Sequence, residues 1–196
     1  MSINLKKGQR INLKKEAPNL SRLMCGLGWD VYTKSGGWFG SSPDFDLDAF
    51  VICLDENNKL MSKSDLVYFG NLRHSSGAIT HLGDNLTGEG DGDDEQIIVD
   101  LPQVPAKIGK LLFMVNIYES KKRKQELSQV ENAFVRLVDV ASSKEIARYE
   151  LSGSQYQNKN GLLLGEVYRH NGEWKMAAVG EAFDARGIGD IAKKYI

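Results

Sequence analysis

The chain has 196 residues, with 25 basic and 26 acidic side chains and a formal net charge of −1. That length suits one domain with a sizeable core, so residues 1–196 read as a single domain, and a charge this close to zero gives no reason to expect nucleic-acid binding. No stretch approaches the roughly 20 apolar residues of a membrane-spanning helix, and no apolar run follows the polar, basic residues 1–10, which predicts a soluble cytoplasmic protein without a secretory signal.

In chain order, residues 9–13 alternate polar and apolar side chains and predict a short strand. Residues 16–19 predict a turn, and 21–30 a second strand with Leu23, Cys25 and Leu27 on one face. Residues 34–43, rich in Gly and Ser, predict a surface loop. The apolar run 50–54 predicts a strand, and the turn 55–59 a hairpin returning through Leu60. Short strands follow at 66–69 and 96–101, the latter closed by Pro102. The run 111–118 predicts a central strand, and the polar, basic stretch 119–129 an exposed loop or short helix. Residues 133–140 and 145–151 predict one hairpin. Residues 162–169 and 173–179 predict another around His170-Asn171-Gly172, because Asn-Gly supplies the two positive φ angles of a tight hairpin turn. Residues 190–196 predict a short terminal helix with Ile191, Ala192, Tyr195 and Ile196 on one side. Many short strands at close spacing, without long crossover helices, make an all-β sandwich the leading fold.

Two acidic stretches dominate the rest. The first is Asp44-Phe45-Asp46-Leu47-Asp48. The second, residues 83–95, alternates Gly with Asp84, Glu89, Asp91, Asp93, Asp94 and Glu95. Between Arg73 and Lys107 there is neither Lys nor Arg, so these carboxylates have no cationic partner nearby in sequence. Glycine lets the backbone curl and present carbonyls beside side chains. Several oxygens, some charged, on a bendable loop are what a hard cation requires. In an extended stretch Asp44, Asp46 and Asp48 share one face; uncompensated, they would raise one another's pKa values. The bland alternatives are an acidic strand edge that discourages aggregation and, for the second stretch, a flexible linker. The helix-loop-helix calcium motif fails, because Ala49 stands where its glycine is required and Asp55 where it needs Glu.

A magnesium-dependent phosphoryl-transfer enzyme is the catalytic alternative. It would need a base or nucleophile and a way to neutralise phosphate. His74, His81 and His170 have no metal-site or acid–base spacing, and His81 reads as a solvated turn residue or an outer support of the second acidic stretch. Gly88-Glu89-Gly90 and Gly187-Ile188-Gly189 fall short of a nucleotide fingerprint. Cys25 and Cys53 sit in apolar runs and read as buried thiols. The run Lys121-Lys122-Arg123-Lys124 reads as a solvated surface or a contact for an acidic partner or anionic lipid. Trp38 and Phe39, flanked by Gly and Ser, are the aromatic pair expected at the surface; Trp29 and Trp174 fit a core.

Several longer stretches add a family resemblance. They are Gly26-Leu27-Gly28-Trp29-Asp30, Phe45-Asp46-Leu47-Asp48, residues 83–90 and 92–95, Asn116-Ile117-Tyr118-Glu119, 129–136, 146–151, 165–169 and 172–175. Together, in this order, they resemble the TerD family of tellurite-resistance and stress-associated proteins. The resemblance implies a calcium-binding β-sandwich, so that with the terminal helix read above the expected fold is an all-β sandwich with long acidic loops and a short C-terminal helix. It implies two Ca²⁺ ions in neighbouring acidic loops; the residues themselves, with no Ser/His/Asp or Cys/His arrangement, predict a domain with no catalysis of its own. The resemblance further implies protein partners in a stress-response complex, with the inner membrane surface as an open location. Carried residue by residue, it points to Asp30, Asp46 and Asp48 in the first region and to Asp84, Glu89, Asp93 and Asp94 in the second. Asp44 and Asp91 join the metal candidates from composition and position. Calcium would close the acidic loops and either switch a partner surface around Trp38 and Phe39 or act as a purely structural staple.

Overall fold

The computed structural model describes residues 2–31, 46–83, 93–150 and 156–196, with backbone alone at 30, 31, 131 and 132. In chain order the strands are β1 (Ile3–Asn4), β2 (Arg10–Asn12), β3 (Arg22–Val31), β4 (Leu47–Leu54), β5 (Leu66–Val67) and β6 (Ile79–His81). They continue with β7 (Glu95–Asp100), β8 (Lys110–Ile117), β9 (Val130–Asp139), β10 (Lys144–Glu150), β11 (Gly161–His170) and β12 (Glu173–Phe183). Short helices are α1 (Leu13–Glu16), α2 (Ser120–Arg123) and α3 (Ile188–Ala192).

Among the described residues the strands form two six-stranded sheets, β1-β10-β9-β3-β7-β6 and β2-β12-β11-β8-β4-β5. All described pairings are antiparallel except β1 with β10. Leu23, Cys25, Leu27 and Trp29 of β3 share one buried cluster with Leu47, Ala49, Val51 and Cys53 of β4 and with Leu111, Phe113, Val115 and Ile117 of β8. One core therefore draws on both sheets, which is consistent with a β-sandwich.

Most of the alternate residues of β4 and β8 are apolar too, the exceptions being Asp48, Lys110 and Asn116. Phe50, Ile52, Leu54, Leu112 and Met114 form a second cluster closed by Ile188 and Ile191 of α3. These strands are covered on both faces, which is why their sequences are nearly continuous apolar runs instead of alternating ones. The terminal helix is thus a lid on the second sheet, tied down further by the Leu60 N–H donating to the Tyr195 carbonyl at 2.6 Å.

The strand at 111–118, both later hairpins and the terminal helix all appear. Asn171 and Gly172 carry φ of 52° and 75° between β11 and β12, the pair of left-handed positions that an Asn-Gly hairpin turn needs. The hairpin expected to return through Leu60 does not form. β4 instead pairs with β5, Val51 opposite Val67 and Ile52 opposite Leu66, because Leu60 is taken by the C-terminus. β1, β6 and α1 escaped sequence reading: at two to four residues they are too short to show a period.

Candidate functional site

β4 begins inside the first acidic stretch. Leu47 turns into the shared core, so Asp48 faces the other side of the sheet with Phe50. Both Asp46 and Asp48 are buried, at 6% and 2% exposure. A carboxylate taken from water this far needs compensating charge or hydrogen bonds. The Asp46 carbonyl accepts from the Tyr118 N–H at 2.8 Å, and its Oδ2 lies 3.8 Å from Arg123 Nη1. Directly opposite Asp48, on β8, stands Asn116. It is 5% exposed, and its Oδ1 has no hydrogen-bond partner among the described residues.

The end of the second acidic stretch lies against the first sheet. The Asp94 N–H donates to the Leu27 carbonyl at 2.8 Å, and its Oδ2 accepts from the Trp29 N–H at 2.9 Å. Asp93 is gripped by Arg136, Nε to Oδ1 at 2.7 Å and Nη2 to Oδ2 at 3.0 Å. That contact holds the Arg136 pKa above its ordinary value. Asp93 thus has a cationic partner that its sequence neighbourhood lacks, and it would enter a metal site only by sharing its oxygens with Arg136.

Glu95 and His81 were not among the metal candidates, yet they join the two sheets. The Ala49 N–H in β4 donates to Glu95 Oε2, and the Ala49 carbonyl accepts from His81 Nε2 at 3.1 Å. The Gly83 N–H donates to His81 Nδ1 at 3.2 Å, which leaves the ring proton on Nε2 for Ala49. His81 is therefore no solvated turn residue: it is buried in β6. Together the two side chains flank the acidic segment 83–94 and hold the strand carrying Asp48. The signal available in sequence was an acid and a histidine bracketing that segment.

Other candidates lie elsewhere. The backbone of Asp30 pairs with Glu131 just past a register shift in β3. Asp44, Asp84, Glu89, Asp91, Trp38 and Phe39 lie outside the described residues. His74 is buried and contacts Asp65 Oδ1 through Nε2 at 2.9 Å, and His170 is exposed at its turn. The histidines near the acids in sequence are thus engaged with Asp65 and Ala49, away from any acid–base role at Asp46 and Asp48. Cys25 and Cys53 are buried and free. Trp29 is in the core, Trp174 packs against it beneath Arg169, and Lys121, Lys122 and Lys124 are exposed.

Among the described residues, no three of His, Cys, Asp and Glu gather into a metal-binding group. The donors brought together at β4 and β8 are oxygens: the carboxylates of Asp46 and Asp48, and the Asn116 amide oxygen, which lacks a hydrogen bond among the described residues. An all-oxygen set suits a hard cation such as Ca²⁺ or Mg²⁺ and is a poor match for zinc or copper. No helix among the described residues is long and apolar enough to cross a membrane.

The pattern of the TerD domain matches residues 1–195. A protein of Bacillus subtilis (strain 168) called stress response protein SCP2 is 47% identical over 201 residues, covering 100% of both chains. The tellurium resistance protein TerD of Serratia marcescens is 42% identical over 195 residues, covering 100% of this chain and 97% of the relative. A crystal structure described as a homologue of telluride resistance protein (TerD), from Streptomyces coelicolor A3(2), superposes with a TM-score of 0.66 at 18% identity. It covers 85% of this chain and 92% of that one, a likeness of fold.

Proposed function

The chain belongs to the TerD family, and on that premise we propose that it is a calcium-binding, non-enzymatic protein of the stress response, linked to resistance to tellurite and other chemical stress. The observation that carries the calcium reading is the burial of Asp46 and Asp48 two residues apart. Two buried carboxylates so close repel each other, and beside the Arg123 guanidinium at Asp46 a divalent cation would supply two further charges at one point. The names of the relatives support the stress-response role.

Asp46 and Asp48 would hold one ion, with Asp30 and Asp44 as further ligands. Asp84, Glu89, Asp91 and Asp94 would hold a second, with Asp93 contributing charge from its pair with Arg136. The bound ions would supply charge neutralisation and bridge the acidic segments. The chain's own part is positional: Trp29 and Leu27 fix Asp94, and Glu95 and His81 fix the strand that carries Asp48. Protein partners in a cytoplasmic stress-response complex, peripheral to the membrane, complete the proposal. Tyr118 offers a responsive surface, because it is exposed, stacks edge-on to Phe69 at 5.9 Å and donates its N–H to Asp46.

The test is a calorimetric titration of metal-stripped protein with Ca²⁺ and then with Mg²⁺. Saturable binding that prefers Ca²⁺ and is lost in Asp46→Asn and Asp84→Asn is the expected result. No binding below millimolar Ca²⁺ would overturn the reading, and tighter Mg²⁺ binding would favour phosphoryl-transfer chemistry instead. A surface around Tyr118 that labels identically with Ca²⁺ and with chelator would mark the ion as a structural staple and not a switch.

A further inference from the structure

We propose that Asn116 is a ligand of the cation held by Asp46 and Asp48, supplying a neutral amide oxygen from the neighbouring strand. The inference rests on the calcium reading above and adds to it a residue that carries no charge. Its basis is the row of side chains across the second sheet. Asp48 stands opposite Asn116, Asn116 opposite Gly161, and Gly161 opposite Phe183. Gly161 leaves its place in that row to the Phe183 ring, whose Cε2 lies 2.1 Å from where a Cβ would stand. Asn116 therefore has a carboxylate on one side and an aromatic ring on the other.

Neither neighbour is a donor for an amide oxygen. Oδ1 of Asn116 is buried without a hydrogen-bond partner among the described residues, a state that destabilises a fold unless something offsets it. The same face further along β4 and β8 is apolar as far as Ile52 and Leu112, with Phe50 and Met114 as the next facing pair. A valine or leucine at 116 would continue that pattern and bury no polar atom. Side chains directly opposite on one face of an antiparallel pair have Cβ atoms about 5 Å apart. That spacing lets a carboxylate and an amide oxygen close on one ion at the roughly 2.3–2.6 Å of calcium–oxygen contacts. Arg123 forms an ion pair with Asp46, Nη1 to Oδ2 at 3.8 Å; it is the group a cation would displace from Asp46.

A ligand of this kind sacrifices apo stability for binding, and that separates it from a structural asparagine. The experiment compares wild type, Asn116→Val and Asn116→Asp by Ca²⁺ titration calorimetry and by thermal melting in chelator. Asn116→Val is expected to weaken binding at the Asp46–Asp48 ion on the order of tenfold or more, while its melting temperature in chelator stays equal to or above that of wild type. Asn116→Asp keeps an oxygen and adds repulsion. It should melt lower in chelator and gain more than wild type when Ca²⁺ is added, and this variant decides the matter if Asn116→Val does not fold. Unchanged Ca²⁺ affinity in Asn116→Val would overturn the inference and assign the oxygen to a buried water. A matched loss of chelator-state stability and binding would overturn it in favour of a structural role. Wild-type protein that binds no Ca²⁺ would instead defeat the calcium reading itself, a result distinct from either.

Discussion

Arg136 holds Asp93 in a two-pronged ion pair directly over Gly26, its own register partner across β3 and β9. The carboxylate lies where a side chain of Gly26 would be: a Cβ there would stand 2.3 Å from Asp93 Cγ. Only glycine lets the acid rest on the strand.

Replacing Gly26 by alanine should push Asp93 off Arg136. Loss of a hydrogen-bonded pair with a charged group costs about 1.5–3 kcal/mol. For a chain of this size that corresponds to a fall in Tm of roughly 4–8 °C. Arg136→Met should fall by a similar amount, and the double variant by less than the sum, because both changes remove one contact. Thermal melts of the three variants check this; additive losses would show that Gly26 and Arg136 act separately.

Glu95→Ala should destabilise the joint between the sheets. It removes the acceptor of the Ala49 N–H inside a buried site, where an orphaned backbone donor costs about 1–3 kcal/mol. Glu95→Gln keeps an acceptor oxygen and should recover most of the loss. Hydrogen exchange at the Ala49 amide reads the contact directly. Fast exchange in Glu95→Ala and slow exchange in Glu95→Gln is the expected pattern, and equal protection in both would contradict the assignment.

The two thiols should be inert in the folded protein. Burial pushes both pKa values up, with the charge of Asp93 adding at Cys25 and that of Asp65 at Cys53. Unfolded thiols ionise near about pH 8.5, whereas the folded ones stay protonated well above it. The folded state then retains protons that the unfolded state releases, so this contribution is intact below about pH 8.5 and diminishes as pH rises further. A thiol reagent at pH 8 should label neither cysteine without denaturant. The Cys25→Ala/Cys53→Ala variant should lose less stability than wild type between pH 8.5 and 10. Rapid labelling of native protein would refute the burial.

Deleting residues 187–196 removes Ile188 and Ile191 from the cluster around Phe50, Ile52, Leu112 and Met114. An apolar face uncovered on this scale favours association. The truncated chain should bind a hydrophobic dye and run as aggregates in size-exclusion chromatography. A monomeric, dye-free product would show that the helix is dispensable cover.

Much of the strand inventory was legible because it depends on neighbours in sequence. The Asn171-Gly172 turn demands its conformation locally, and the runs 50–54 and 111–118 declare strands covered on both faces. The acidic character of residues 44–48 and 83–95 was equally plain. Leu60 misled because the turn at 55–59 suggested an immediate return, while its backbone partner, Tyr195, comes from the far end of the chain.

What the sequence determined by itself was composition along the line: which segments are apolar enough to be buried, which turn, and where negative charge accumulates without positive charge beside it. Pairing across distance belonged to the tertiary structure. Arg136 reaches Asp93 across 43 positions, Glu95 reaches Ala49 across 46, and Asn116 meets Asp48 only through the register of β4 and β8. A sequence shows charge and hydropathy, which are properties of single residues. Whether a charge is neutralised, or an oxygen left without a donor, is a property of pairs, and only folding creates those pairs.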